Sequence, residues 1–289
     1  MSSAVRKNDF SSILFDFDEI KLSDKIFGNF ADLIYELAGI DLPPTPKNHA
    51  LVRNRLVKML RRYGLDSYEA YWDLLKARDK EVISEYISAL TTNMTSFYRE
   101  SNHFEFMAGA LPELLKKYPG ELRLWCAAAS TGQEPYTMAM TAWDSLGEQA
   151  KKVRMLATDI DLEVLKKASA GVYFEREMAG LPPAQRSKYF SEMISVDDPI
   201  WRANDKINDM IRFAPFNLMN PRYEFQHKFH MIFCRNVLIY FDEETTKRVI
   251  DNLVQCLAPG GYLVLGHSES GNVKHPGLKS LGRAVYERI

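Results

Sequence analysis

The chain predicts an α/β fold with a mostly parallel sheet, preceded by a small all-helical unit. Strand-like apolar runs at 122–128, 153–160, 211–216, 229–234 and 262–266 alternate with helical stretches. Buried apolar strands that alternate with helices form parallel sheets covered on both faces. Ahead of them, residues 23–90 carry apolar positions at helical spacing and no strand pattern. At 289 residues there is room for one large or two modest domains.

Composition narrows the function classes. A hydrophobic fraction of 46% with 26% charged residues is ordinary for a globular protein. A net charge of -1 gives no global attraction to nucleic acid or membrane, so any steering must be local. No apolar run approaches the roughly 18 residues of a membrane helix, and the opening MSSAVRKNDFSS lacks a signal-peptide core. A cytoplasmic location is the expectation. Cys126, Cys234 and Cys256 form no CxxC pair and read as reduced; the six histidines show no metal-ligand spacing, so no metal is expected.

Residues 1–20 read as an irregular arm. A helix follows from Ser23 to Ala38, capped by Ser23 or Asp24 and ended by Gly39, and DLPPTP makes a rigid turn. The helix at 47–63 has two faces: Val52, Leu56, Met59, Leu60 and Tyr63 on one arc, Arg55, Lys58, Arg61 and Arg62 on the other. No acidic residue interrupts 53–62, so this is either a solvated face or a patch for an acidic partner. Helices at 67–78 and 80–90 complete a helical domain spanning 21–90. TTNMTSFYRE at 91–100 breaks the pattern and reads as a junction. Residues 171–210 interrupt the later alternation and read as an insertion, and Pro259-Gly260-Gly261 reads as a turn before the last strand.

Polar residues gather where ligands bind such sheets, beyond the carboxyl ends of the strands. The first strand runs into AAASTGQEPY, a small-residue turn with Pro135 in the first turn of a helix. The loop lacks the glycine spacing of a phosphate cradle, and by itself fits an ordinary strand–helix connection as well. The second strand ends in Asp159, placed to accept two ribose hydroxyls, while Asp161 reads as a helix cap. Asn217 follows the third strand, and its amide could read an adenine edge. Arg235-Asn236 follow the fourth. A nucleoside without pyrophosphate suits this set, and S-adenosylmethionine (SAM) fits: its carboxylate suits backbone N–H groups, its ammonium Glu134.

TTNMTSFYRE, AAASTGQEPY, ATDID, FAPFNL, IFCRNVLIYFD and PGGYLVLGHSES, in this order, closely resemble the chemotaxis receptor methyltransferases, the CheR family. The resemblance runs from about residue 20 to the end. It implies a Rossmann-like SAM-dependent methyltransferase domain at 91–289 with a small β-subdomain inserted at about 171–210. It also implies methyl transfer to glutamate side chains on the cytoplasmic helices of methyl-accepting chemotaxis proteins, by an enzyme recruited to receptor arrays. By motif, Asn93, Thr95 and Arg99 line the SAM and acceptor side, and Glu134 meets the methionine end. Asp159 takes the ribose, Asn217 and Leu218 flank the adenine, and Arg235, Asn236 and Tyr240 complete the pocket. Arg99, helped by Tyr240, either holds the acceptor carboxylate or serves SAM. The basic face of Arg55, Lys58, Arg61 and Arg62 then gains the acidic receptor helices as partner. Relatives that tether to a receptor's C-terminal pentapeptide resemble one another in a Gly-rich RGxG-like turn after the Tyr-Phe pair. Here that place reads Ser191-Glu192-Met193-Ile194. Pentapeptide tethering is doubtful on that ground, and docking through the helical domain is the expectation.

Overall fold

A computed structural model describes residues 20–193 and 198–289; the arm expected at the N-terminus and Ile194 lie outside them. The described chain divides into two units: residues 20–33 with 42–90, and residues 34–41 with 91–289. The first helix, α1 (Asp24–Ala38), contributes to both: its end and residues 39–41 belong with the second unit, and the chain returns to the first at Leu42.

The rest of the first unit is α2 (Pro46–Tyr63), α3 (Tyr68–Lys76) and α4 (Lys80–Leu90). Each begins at a side chain that accepts otherwise unpartnered N–H groups. Thr45 takes Asn48 N–H, Ser67 takes Ala70 N–H, and Asp79 takes those of Glu81 and Val82. Gly64, in the left-handed region at φ 63°, stops α2. The buried face of α2 is Val52, Leu56 and Leu60, packed in a core rich in rings: Phe30, Tyr68, Tyr71 and Tyr86. Tyr86 Oη keeps its hydrogen bond there by donating to Phe30 O at 2.6 Å.

The second unit runs α5 (Asn102–Lys117), β1 (Leu122–Cys126), α6 (Gln133–Leu146), β2 (Val153–Asp159), α7 (Leu162–Ala170), β3 (Val172–Phe174), α8 (Pro183–Tyr189), β4 (Phe190–Met193), β5 (Ile200–Ala203), α9 (Asp205–Asn208), β6 (Ile211–Pro215), β7 (Phe229–Cys234), α10 (Glu243–Cys256), β8 (Leu257–Leu265), β9 (Leu278–Gly282) and β10 (Val285–Arg288). Its seven-stranded sheet has the order β6-β2-β1-β7-β8-β10-β9. The five strands from β6 to β8 are parallel; β10 and β9 close one side as an antiparallel pair. One face packs Leu124, Met155 and Met231 against Met107, Leu111 and Met138 of α5 and α6. The other packs Trp125, Ile232 and Leu263 against Val249 and Leu253 of α10. The order reverses between β1 and β7, which opens a crevice at their carboxyl ends. The insertion is a separate three-stranded antiparallel sheet, β3-β5-β4.

Three features depart from the sequence reading. Helix α5 was not anticipated: Pro112 sits inside it, and burial of Phe104, Met107, Leu111 and Leu114 outweighs the lost backbone bond. Pro259-Gly260-Gly261 is no turn before a strand but a bulge within β8, since Phe229 pairs with Leu257 and Met231 already with Tyr262. The β9–β10 hairpin was missed as well.

Candidate active site

The crevice holds a cavity of about 850 Å³, counted with its open mouth. Asn93, Thr95, Arg99, Glu134, Asp159, Asn217, Leu218, Arg235, Asn236 and Tyr240 all line it. Arg55, Lys58, Arg61 and Arg62 lie in the first unit and have no part in it.

Its floor is the turn after β1. Ser130 at φ 47° and Gly132 at φ 97° turn the chain sharply into α6. Gly132 is required on two counts: a Cβ there would stand 2.6 Å from Tyr173 Oη and 3.0 Å from Ala168 Cα. The turn is tied down on three sides. Ser130 N–H donates to Asp159 Oδ2 at 2.8 Å, Ser130 Oγ to Asn93 O at 3.1 Å, and Tyr173 Oη to Thr131 O at 2.9 Å.

Asp159, at the end of β2, is buried. Burial pushes its carboxyl up to about 6, although the N–H groups of Asp161 and Ser130 favour its charge. Two N–H groups leave lone pairs on both oxygens for further donors. Asp161 caps α7, as expected, through Glu163 N–H and Val164 N–H. Its other oxygen accepts Asn93 Nδ2 at 2.8 Å and Thr91 Oγ1 at 3.1 Å.

Asn217 lines the cavity with an amide already held within the protein. Nδ2 donates to Leu37 O at 2.7 Å and Oδ1 accepts Met219 N–H at 2.9 Å. The side chain is engaged in pinning the end of α1 against the cavity. Apolar wall is supplied beside it by Phe216, buried Leu218 and Ile160.

Opposite lies a charge cluster. Arg235, buried at the end of β7, reaches Glu134 Oε2 through Nη1 at 2.6 Å and Glu100 Oε2 through Nη2 at 3.1 Å. Nη2 also donates to Arg99 O at 2.6 Å. Burial opposes the guanidinium charge, but the two carboxylates raise its pKa above the usual value. Burial raises Glu134, against the pull of Arg235. Its Oε1 accepts the Cys126 thiol at 3.3 Å. Arg99 is half-buried, with Nη1 on Met94 O at 2.8 Å. Asn236, at φ 58°, reaches Glu100 Oε1 at 3.3 Å through Nδ2.

Sequence reasoning missed two residues that shape this wall. Glu100 sits next to Arg99 in TTNMTSFYRE. Glu269, inside PGGYLVLGHSES, places its carboxylate on four backbone N–H groups: Asn236 and Gly266 on Oε2, Val237 and Leu238 on Oε1, at 2.6–2.9 Å. It fixes the loop that carries Arg235 and Asn236. Both lay in quoted motifs, but only the fold brings them to their partners.

Residues 25–91 match the CheR methyltransferase all-alpha domain, and residues 93–283 the CheR methyltransferase SAM binding domain. The chain belongs to the CheR methyltransferase family. A chemotaxis protein methyltransferase of Escherichia coli is 37% identical over 99% of this chain and 98% of its own. That of Salmonella typhimurium is 38% identical with the same coverage, and chemotaxis protein methyltransferase 2 of Pseudomonas aeruginosa 33% identical over 95% and 97%. This CheR-family chain is thus a SAM-dependent methyltransferase of chemotaxis. Its donor set suits SAM: a buried carboxylate with lone pairs to spare, an apolar wall, a small-residue turn and no glycine cradle for phosphates. No helix among the described residues is long and apolar enough to cross a membrane.

Proposed function

We propose that the enzyme esterifies glutamate side chains on the helical cytoplasmic region of chemoreceptors, docking through α2 rather than through a receptor C-terminal tail. The observation that carries this reading is the polarity of the cavity: a ribose-suited carboxylate, Asp159, on one wall and the half-buried guanidinium of Arg99 on another. The acceptor needs no general base, because a glutamate with a pKa near ~4.3 is already an oxyanion at neutral pH. SAM, when bound, supplies an electrophilic methyl group on a sulfonium.

The chain's own task is to position and to exclude water, effects that together can lower a barrier by roughly 7–11 kcal/mol. Asp159 orients the ribose, Asn217 fixes the wall beside the adenine, and the Glu134–Arg235 pair shapes the methionine end. Arg99, steadied by Met94 O, receives the acceptor carboxylate, with Tyr240 beside it on the cavity wall. Single turnover by Arg99→Ala with SAM saturating separates an acceptor role, which slows transfer, from a donor role, which saturation rescues.

The deciding experiment offers labelled SAM to receptor-containing membranes, with and without the receptor's C-terminal tail. Label should enter receptor protein and leave as methanol in mild base, as carboxyl methyl esters do, whether or not the tail is present. Base-stable label would overturn the glutamate assignment. Loss of labelling with the tail would overturn docking through the helical unit alone.

A further inference from the structure

Glu100 Oε2, which takes Arg235, also has two histidines as neighbours. His103, one turn along at the head of α5, is fully buried, and its Nε2 lies 2.8 Å from Arg283 O. A carbonyl oxygen only accepts, so Nε2 carries the ring hydrogen and Nδ1 presents a lone pair. Nδ1 has no hydrogen-bond partner, yet it faces Glu100 Oε2 at 3.4 Å. Glu100 Oε2 also takes Arg235 Nη2 at 3.1 Å and the His267 N–H at 3.2 Å, but neither reaches Nδ1 of His103, which is left as a buried acceptor against a carboxylate oxygen, a pairing that a shared cation would relieve.

A third donor completes the cluster. His267 follows β8, half-exposed, with Nε2 4.0 Å from Glu100 Oε2 and its ring edge-to-face with that of His103 at 4.8 Å. All three donor atoms lie within 4.8 Å of one another. Ligands at about 2.0–2.1 Å from a tetrahedral zinc ion stand about 3.4 Å apart. The Glu100–His103 spacing already meets this, and the solvent-facing His267 has only a short distance to close. The charge balance points the same way. Arg235 is shared by Glu100 and Glu134, so the cluster holds one carboxylate more than its guanidinium neutralises.

We propose that Glu100, His103 and His267 form a site for a divalent transition metal, with a fourth position open to water on the His267 side. Two imidazoles and one carboxylate select Zn²⁺ or Co²⁺ over Mg²⁺ or Ca²⁺. The ion would stand one side chain away from the donor pocket, because Glu100 also contacts Arg235 and Asn236.

The test titrates full-length, chelator-treated protein with Co²⁺, followed by its visible d–d bands, and then displaces it with Zn²⁺. One equivalent should bind. His267→Ala, a change at a half-exposed side chain, should weaken binding by at least about tenfold. His103→Gln should do the same if it folds; if it does not, His267→Ala decides alone. His49 and His275 each approach a carboxylate elsewhere, Asp24 and Asp251, so His49→Gln/His275→Gln should bind like the parent. Absence of saturable 1:1 binding, or binding that survives His267→Ala and is lost with His49→Gln/His275→Gln, would overturn the assignment.

Discussion

Arg235 Nη1 and Glu134 Oε2 stand 2.6 Å apart in the interior, and the same guanidinium reaches across to Glu100. One cation serves two carboxylates. Removing it leaves buried Glu134 and half-buried Glu100 without their cation, so Arg235→Ala should cost about 3–5 kcal/mol of folding stability. Arg235→Lys should restore little, because a point charge cannot make the two separate contacts of the guanidinium fork. Urea denaturation of both variants measures this; a loss within about 1 kcal/mol for the alanine would show the cluster to be unimportant.

Donor binding should depend on pH through Asp159. Its carboxyl titrates near 6, raised by burial, and ribose hydroxyls donate to the ionised form. Affinity for S-adenosylhomocysteine should therefore be full above that pH and fall as the pH drops through it, approaching about tenfold per unit. Folding runs the opposite way. A carboxyl whose pKa is higher folded than unfolded makes the ligand-free protein more stable as pH falls from about 7 toward 4. Asp159→Asn should bind weakly at every pH. Calorimetric titration of both forms checks the sign, and a flat parental profile would remove Asp159 from the ribose.

Glu269→Gln should loosen the loop after β7. An amide accepts through one atom only, so N–H groups now shared between two oxygens lose acceptors, at about 1–3 kcal/mol for each one orphaned. The expected result is faster amide exchange at Asn236, Val237 and Leu238 and weaker S-adenosylhomocysteine binding. Unchanged protection there would mean the carboxylate is dispensable.

The basic face of α2 is less uniform than its sequence. Arg55 Nη1 is held on Leu90 O at 2.8 Å, and Arg62 pairs with Glu85 at 2.6 Å. Reversing Lys58 and Arg61, both exposed, should slow receptor methylation several-fold at low ionic strength and leave S-adenosylhomocysteine binding intact. The difference should shrink in high salt, where the screening length drops to about 3 Å. Equal rates at low salt would leave α2 without a docking role.

Much of this fold is legible from local signals. Leu162–Ala170 was bounded correctly because Asp161 caps it and Gly171 stops it at φ 62°; Phe229–Cys234 because it is apolar and buried throughout. The β9–β10 hairpin was not, because its two-residue turn places Arg283 and Ala284 at φ 50° and 60°. Such turns usually advertise themselves by Asn-Gly. At the site, residue types at strand ends indicated where the cavity lies. They did not reveal that the amides of Asn93 and Asn217 are bonded within the protein, or that Glu269 holds a loop 31–33 residues earlier in the chain. Those partners are set by packing.

Tyr173 belongs to the inserted sheet, yet its phenol holds Thr131 O, and its oxygen stands where a side chain on Gly132 would have to go. The turn at the floor of the cavity is thus braced by a strut from a segment the parallel sheet itself does not use. Exchanging the insertion for another of equal length would need to carry a tyrosine to that spot. Without it, the floor of the pocket loses its outer support although every residue of the pocket is still in place.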